Sequence, residues 1–185
     1  MLNKRPINSH SVLASAATIV VGIFGMVSAN AAEPHCYNLA SLQGQYTLIT
    51  NYGDHVAKAF VVRYYDGNGN FTGSFLINQP KVGSTTGERT LVTGTQTGTY
   101  AVNCDGTGVV TRLVTLSNGT TAKEMEDFII TKAEMVSNLR GPFFAGQLIA
   151  TALEDAGRDP SPIVSGGLFV THTYSRLPDR QMQQR

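Results

Sequence analysis

Cysteine is scarce in this chain. There are two, Cys36 and Cys104, with no CxxC pair and no lysine or arginine beside either. That argues against a redox pair or an activated nucleophile. Histidine is nearly as sparse: His10 lies in the N-terminal apolar region, leaving His35, His55 and His172. No two stand at the HxH or HxxxH spacing of a local metal site. The serine-nucleophile signatures GxSxG and SxxK are missing, and no glycine-rich phosphate loop leads into a helix start and lysine. Only 15% of the residues are charged, and lysine and arginine are scattered singly without interleaved aromatics. Such a surface has no basic footprint for nucleic acid. No catalytic residue, metal ligand or cofactor follows from these patterns.

The N-terminus carries a targeting pattern. Lys4 and Arg5 precede a charge-free, mostly apolar run, SVLASAATIVVGIFGMVSA, at 11–29, and Ala29-Asn30-Ala31 gives the small-x-small pattern of a signal-peptidase site. The expected organisation is a signal peptide over 1–31, one domain over 32–176 and a frayed polar tail over 177–185. An uncleaved anchor is the alternative, since the run is nearly long enough to span a bilayer. Removal would leave no transmembrane segment, in a periplasmic or extracellular protein. Lys4 and Arg5 would leave too, taking the 14 basic residues to 12 against 13 acidic. In an oxidising compartment two cysteines most simply form one disulfide, Cys36–Cys104.

What is abundant is strand signal. Asp-Gly, Asn-Gly and Gly-Gly turns recur at short intervals between runs rich in Val, Ile, Thr, Tyr and Phe. They predict strands near 44–52, 56–65, 71–78, 88–94, 97–103, 108–116, 121–131, 134–139, 144–152 and 165–176. Alternation sets one face of each inward: Tyr46, Leu48 and Tyr52; Phe71, Phe75 and Ile77; Tyr100 and Val102; Leu168, Val170, His172 and Tyr174. Eight to ten hairpin-linked strands predict an all-β antiparallel up-and-down barrel, with a β-sandwich as the alternative. Residues 146–159 read as a strand followed by a loop rather than a helix, because Pro160 and Pro162 follow closely.

The stretch YYDGNGNFTGSF, 64–75, imitates a calcium loop, with Asp66, Asn68 and Asn70 two residues apart. Phe71 stands where such a loop needs glycine, and Ile77 where it needs a bidentate glutamate. A hairpin turn capped by the Asp66 carboxylate accounts for every residue. The segment around Asp105-Gly106 repeats the arrangement.

Two features bear on chemistry. His172 shares the inward face of its strand, either as a bonded core residue or as a polar group in a ligand cavity. In KEMEDF, 123–128, Glu124 and Glu126 share a face, which reads as a solvated strand surface that becomes buried toward Phe128 and Ile130.

The segments SLQGQYTL (41–48), YYDGNGNFTG (64–73) and TGTYAVNCDGTG (97–108) together resemble a diffuse group of small exported bacterial proteins with no assigned activity. Their pattern is Leu-x-Gly-x-Tyr, Asp-Gly-x-Gly and Gly-x-Tyr-x-Val-Asn. The resemblance covers about half of the chain beyond residue 31. It implies a barrel of the calycin or allene oxide cyclase type and carries over no site residues. In such a barrel Gly44 and Gly98 leave room for a neighbouring ring or a bend, and Cys36 staples the N-terminal segment across the rim that carries Cys104. Three readings follow. A small apolar molecule could bind inside, against Tyr46, Tyr100, His172 and Tyr174. The barrel could instead be a packed structural or interaction protein of the cell envelope with an exposed apolar patch. An enzyme is the third, marked by a buried acid–base pair such as His172 with Glu124 or Glu126. Oligomeric state is open.

Overall fold

The computed structural model describes residues 36–52, 57–136, 146–164 and 168–178. The chain divides into Met1–Ala32 and Glu33–Arg185, and all described residues belong to the second unit. The leader, His35 and His55, the outer parts of the strands expected at 134–139, 144–152 and 165–176, and most of the tail therefore lie outside the described residues.

Eight strands form one closed sheet: β1 (Gln43–Asn51), β2 (Lys58–Asp66), β3 (Asn70–Pro80), β4 (Arg89–Val102), β5 (Thr107–Leu116), β6 (Thr121–Val136), β7 (Gln147–Gly157) and β8 (Thr171–Arg176). Each pairs antiparallel with the next, and β8 closes on β1. This is the up-and-down barrel that the alternation predicts. Closure leaves no sheet edge along the paired length.

The strand count corrects the upper end of the expected range. Two expected breaks are continuous strand. Gly94 is not a turn: it runs on within β4, opposite Phe75. The gap expected after residue 131 is a register irregularity between Ile130 and Ala133, inside a single β6. A bulge breaks the period-2 signal without ending the strand. The segment 146–159 stays in strand through Gly157, further than residue 152, because β6 and β8 both pair with it there.

The inward faces follow the predicted parity. Tyr46, Leu48, Tyr52, Phe71, Phe75, Ile77, Tyr100, Val170, His172 and Tyr174 are all buried. The 64–75 stretch is a tight turn. The Asp66 carboxylate accepts from the backbone N–H groups of Asn68 (2.7 Å) and Asn70 (3.0 Å) and from Asn70 Nδ2 (2.8 Å). Gly67 and Gly69 take φ of 77° and 97°, a region costly for a side chain. The same device recurs at Asp105, which accepts from the backbone of Thr107 at 2.9 Å.

One end of the barrel is covered by the N-terminal segment. A short 3-10 turn, Leu39–Ser41, crosses it, capped by the Asn38 side chain. Tyr100 reaches out of β4 to donate its hydroxyl to the carbonyls of Leu39 (3.0 Å) and Leu42 (2.8 Å). Cys36 and Cys104 are disulfide-bonded, and the Tyr37 N–H bonds the Cys104 carbonyl at 3.2 Å. Cys104 is exposed in the β4–β5 turn rather than on the inner face, because the parity of β4 ends at Val102.

Candidate functional site

The middle of the barrel is charged. Inward positions on five strands carry Arg63 (β2), Arg112 (β5), Glu124 and Glu126 (β6), Asp155 (β7), and His172 and Tyr174 (β8). The ladders bring them together: Arg112 lies opposite Glu124, and His172 opposite Asp155. Arg63, Glu126 and Tyr174 are wholly buried, and the Glu124 side chain is only 6% exposed.

The expected solvated face at Glu124 and Glu126 is thus corrected. Their strand turns this face inward, where two guanidiniums await it. Arg112 donates from Nε to Glu124 (2.7 Å), pairs through Nη2 with Glu126 Oε1 (2.7 Å), and donates from Nη1 to Gln96 Oε1 (3.1 Å). Arg63 donates from Nη2 to Glu126 Oε2 at 3.2 Å and from Nη1 to the Tyr174 hydroxyl. Its guanidinium also lies 5.0 Å from the Phe71 ring centroid and 5.4 Å from that of Tyr174. Asp155 accepts from the Tyr174 hydroxyl, the His172 backbone N–H (3.0 Å) and His172 Nδ1 (2.6 Å). Glu126 is the hub, since His172 Nδ1 also lies 3.6 Å from its Oε1.

Isolated charges do not survive burial; they must be paired and hydrogen-bonded. Burial alone would raise the Glu126 pKa, yet Arg112 and Arg63 outweigh it and hold the carboxyl at about 2. Burial dominates at the phenols of Tyr65 and Tyr174, whose pKa values are pushed upward. It also pushes Tyr100 up to about 12. Neutral, Tyr174 and Tyr100 donate, to Asp155 and to the Leu39 and Leu42 carbonyls, while Tyr65 accepts from Arg63 Nη1 at 3.4 Å.

The residues expected to meet an apolar ligand, Tyr46, Tyr100, His172 and Tyr174, all point inward but do not form one pocket. Tyr46 donates to the Ala150 carbonyl at 2.7 Å. Tyr100 bonds the N-terminal segment, and His172 and Tyr174 belong to the charged cluster. Sequence reasoning missed Arg63, Arg112 and Asp155. Arg63 and Arg112 had a signal, since each occupies an inward parity position on a strand that otherwise alternates. Asp155 had none, because it lies beyond residue 152 in the part of 146–159 expected as loop, on a strand whose burial does not alternate.

Glu126, Asp155 and His172 offer ligand atoms within 4.8 Å of one another, as a metal site would. The donors do not fit one, because Arg63 and Arg112 already face those carboxylates. A cation entering there would leave a guanidinium buried against it. The acid–base pair expected of an enzyme takes the form His172–Asp155, with Glu126 next to it. Among the described residues, the space beside Arg112 and Gln96 is small: about 10 Å³, lined also by Tyr52, Phe75, Val114 and Ile163. That is about the volume needed for one water. Ser161 and Ile163, from the segment that follows β7, lie over this part of the interior, with the Ser161 hydroxyl on Glu124 at 2.6 Å and Ile163 beside Arg112 and Gln96. A broader, open depression reaches Asp155 and His172 from the side of β6, β7 and β8.

The compartment expectation has partial support in the disulfide, which belongs to oxidising environments. Among the described residues no helix is long and apolar enough to cross a membrane. No family model matches the chain, and neither the curated proteins nor the solved structures contain a match to it.

Proposed function

We propose that this is an exported interaction module that works through the outside of its barrel, while the interior serves to define the fold. The observation that carries this reading is the contrast between the two faces. Inside, the charged side chains pair with one another, and among the described residues the space beside Arg112 and Gln96 amounts to about one water. Outside, Ile49, Phe60 and Tyr64 are more than half exposed on neighbouring strands. Solitary exposed apolar residues need no explanation, but contiguous ones mark an interaction site.

An apolar molecule inside the barrel would have to displace charged side chains that are paired with one another, so the packed reading is preferred. A catalytic reading has the His172–Asp155 pair in its favour but requires a substrate to reach side chains that are buried and already bonded to each other and to Tyr174. Export rests on the leader pattern together with the disulfide.

Native mass spectrometry of the protein from its own host, before and after denaturation, tests the proposal. A bare mass two hydrogens below the reduced chain is expected. A small molecule that is retained in the native state and lost on unfolding would overturn it in favour of an internal ligand.

A further inference from the structure

The outward face of β8 and β1–β5 has an uncommon composition. Between the strand ends it carries no formal charge: Lys58, Arg89 and Arg176 stand toward the ends, as does Asp66. Charged outward residues gather instead on β6 and β7, at Lys123, Asp127 and Glu154. The uncharged face is largely threonine and serine, with exposed aliphatic side chains at Ile49, Leu91 and Leu113, and two rings rise from it, Phe60 (61% exposed) and Tyr64 (58% exposed). Both are on β2, four residues apart, so about 13 Å separates them along the strand.

Two shallow depressions adjoin here. One runs along Phe60 over Thr47, Ile49, Val62, Ser74 and Leu76, and the other along Tyr64 over Val62, Ser74 and Thr97. Their shared floor is Val62 and Ser74. The alternation of large, smaller and large side chains, Phe60–Val62–Tyr64, makes a trough between two rings, with hydroxyls on the flanking strands.

On the reading that the outside of the barrel is the working surface, we infer that this face binds a neutral glycan chain. A pyranose presents an apolar C–H face and a rim of hydroxyls. The first stacks on an exposed aromatic ring, whose negative face attracts polarised C–H groups. The second is matched by Thr and Ser hydroxyls, which both donate and accept. The absence of charge removes any preference for an ionic polymer and any cost of desolvating an ion at the contact. The alternatives match the face less well. Protein interfaces are depleted in serine, whereas threonine and serine make up most of the face around the Ile49–Phe60 pair. A membrane surface calls for a basic rim around a broad apolar face.

The test is isothermal titration of the chain with cellohexaose, xylohexaose, maltohexaose and chitohexaose, with polygalacturonate as the charged comparison. Binding of at least one neutral hexasaccharide is expected, weakened at least 10-fold by Phe60→Ala and by Tyr64→Ala. Both residues are exposed, so the thermal midpoints should stay near that of the parent. Polygalacturonate should bind no better than the neutral chains. Binding to none of the four neutral chains, or binding that both variants leave unchanged, overturns the inference. Sedimentation of the same proteins separates the two levels. Self-association lost in Phe60→Ala, without sugar binding, would sink the glycan and leave the outer-face reading standing with a second copy as occupant. A co-purifying internal ligand would sink the outer-face reading itself.

Discussion

Phe71 on β3 lies directly opposite Gly98 on β4, and its ring occupies the space that a Cβ on Gly98 would take. The same arrangement recurs twice, with Phe75 opposite Gly94 and Phe128 opposite Gly108. Each glycine lets a large ring lie flat over the neighbouring strand. At Gly98 a methyl would also meet the Thr111 carbonyl, which cannot move without disturbing the ladder. Gly98→Ala should therefore destabilise the barrel by about 1–3 kcal/mol, as overpacking does, measured by urea unfolding. Adding Phe71→Leu should recover part of that loss. Strict additivity of the two changes would refute the steric account.

Glu126 joins both guanidiniums, so Glu126→Gln leaves Arg63 and Arg112 buried with too little negative charge. A loss of about 3–5 kcal/mol is expected. The exposed pair Lys81–Glu88 is the contrast, at 2.9 Å with side chains 57% and 55% exposed. Glu88→Gln should cost no more than about 1 kcal/mol. Chemical denaturation of both variants checks the ranking, and equal effects would mean the network contributes nothing special.

The same carboxylate predicts acid sensitivity. The Glu126 pKa is depressed in the folded protein, from 4.5 to about 2. A depressed carboxyl contributes stability that is fully present above its unfolded value. That contribution is lost as pH falls from about 4.5 toward 2, on the order of a few kcal/mol in total. Unfolding free energies across this window should fall more steeply for the parent than for Glu126→Gln. Parallel slopes would place the acid response elsewhere.

The Cys36–Cys104 disulfide spans a sequence separation of 68. Constraint of the unfolded chain by a loop of that length is worth about 4 kcal/mol. The Cys36→Ser, Cys104→Ser double variant should lower the urea midpoint accordingly. Its loss should also loosen the segment over the barrel end, read as faster hydrogen exchange at the Tyr37 amide, which bonds the Cys104 carbonyl. An unchanged midpoint would mean that the Tyr100 hydrogen bonds hold the segment alone.

Gly44 and Gly98 show how far a local signal reaches. Both were legible as places without a side chain for a reason, and they turn out to differ. Gly98 accommodates a ring, whereas Gly44 takes φ of 95°, with the Arg176 guanidinium beside it. The turn at Asp66 could be read completely, because its bonds lie within four residues. The charged cluster could not. Glu124 and Glu126 read as solvated because a lone strand does not reveal which of its faces the closed sheet turns inward.

The sequence by itself determined the all-β class, the hairpin order, the turn at Asp66 and the inward parity of Tyr46, Tyr100, His172 and Tyr174. These follow from backbone preferences and a period of two, which act between near neighbours. Tertiary structure alone decided that Arg63 meets Glu126 across 63 positions of sequence and that His172 meets Asp155 rather than Glu124. It also decided that Phe60 and Tyr64 stand on an uncharged outer face. Those relations depend on strand register and barrel closure, which are set by the summed pairing of eight strands and not by any one of them.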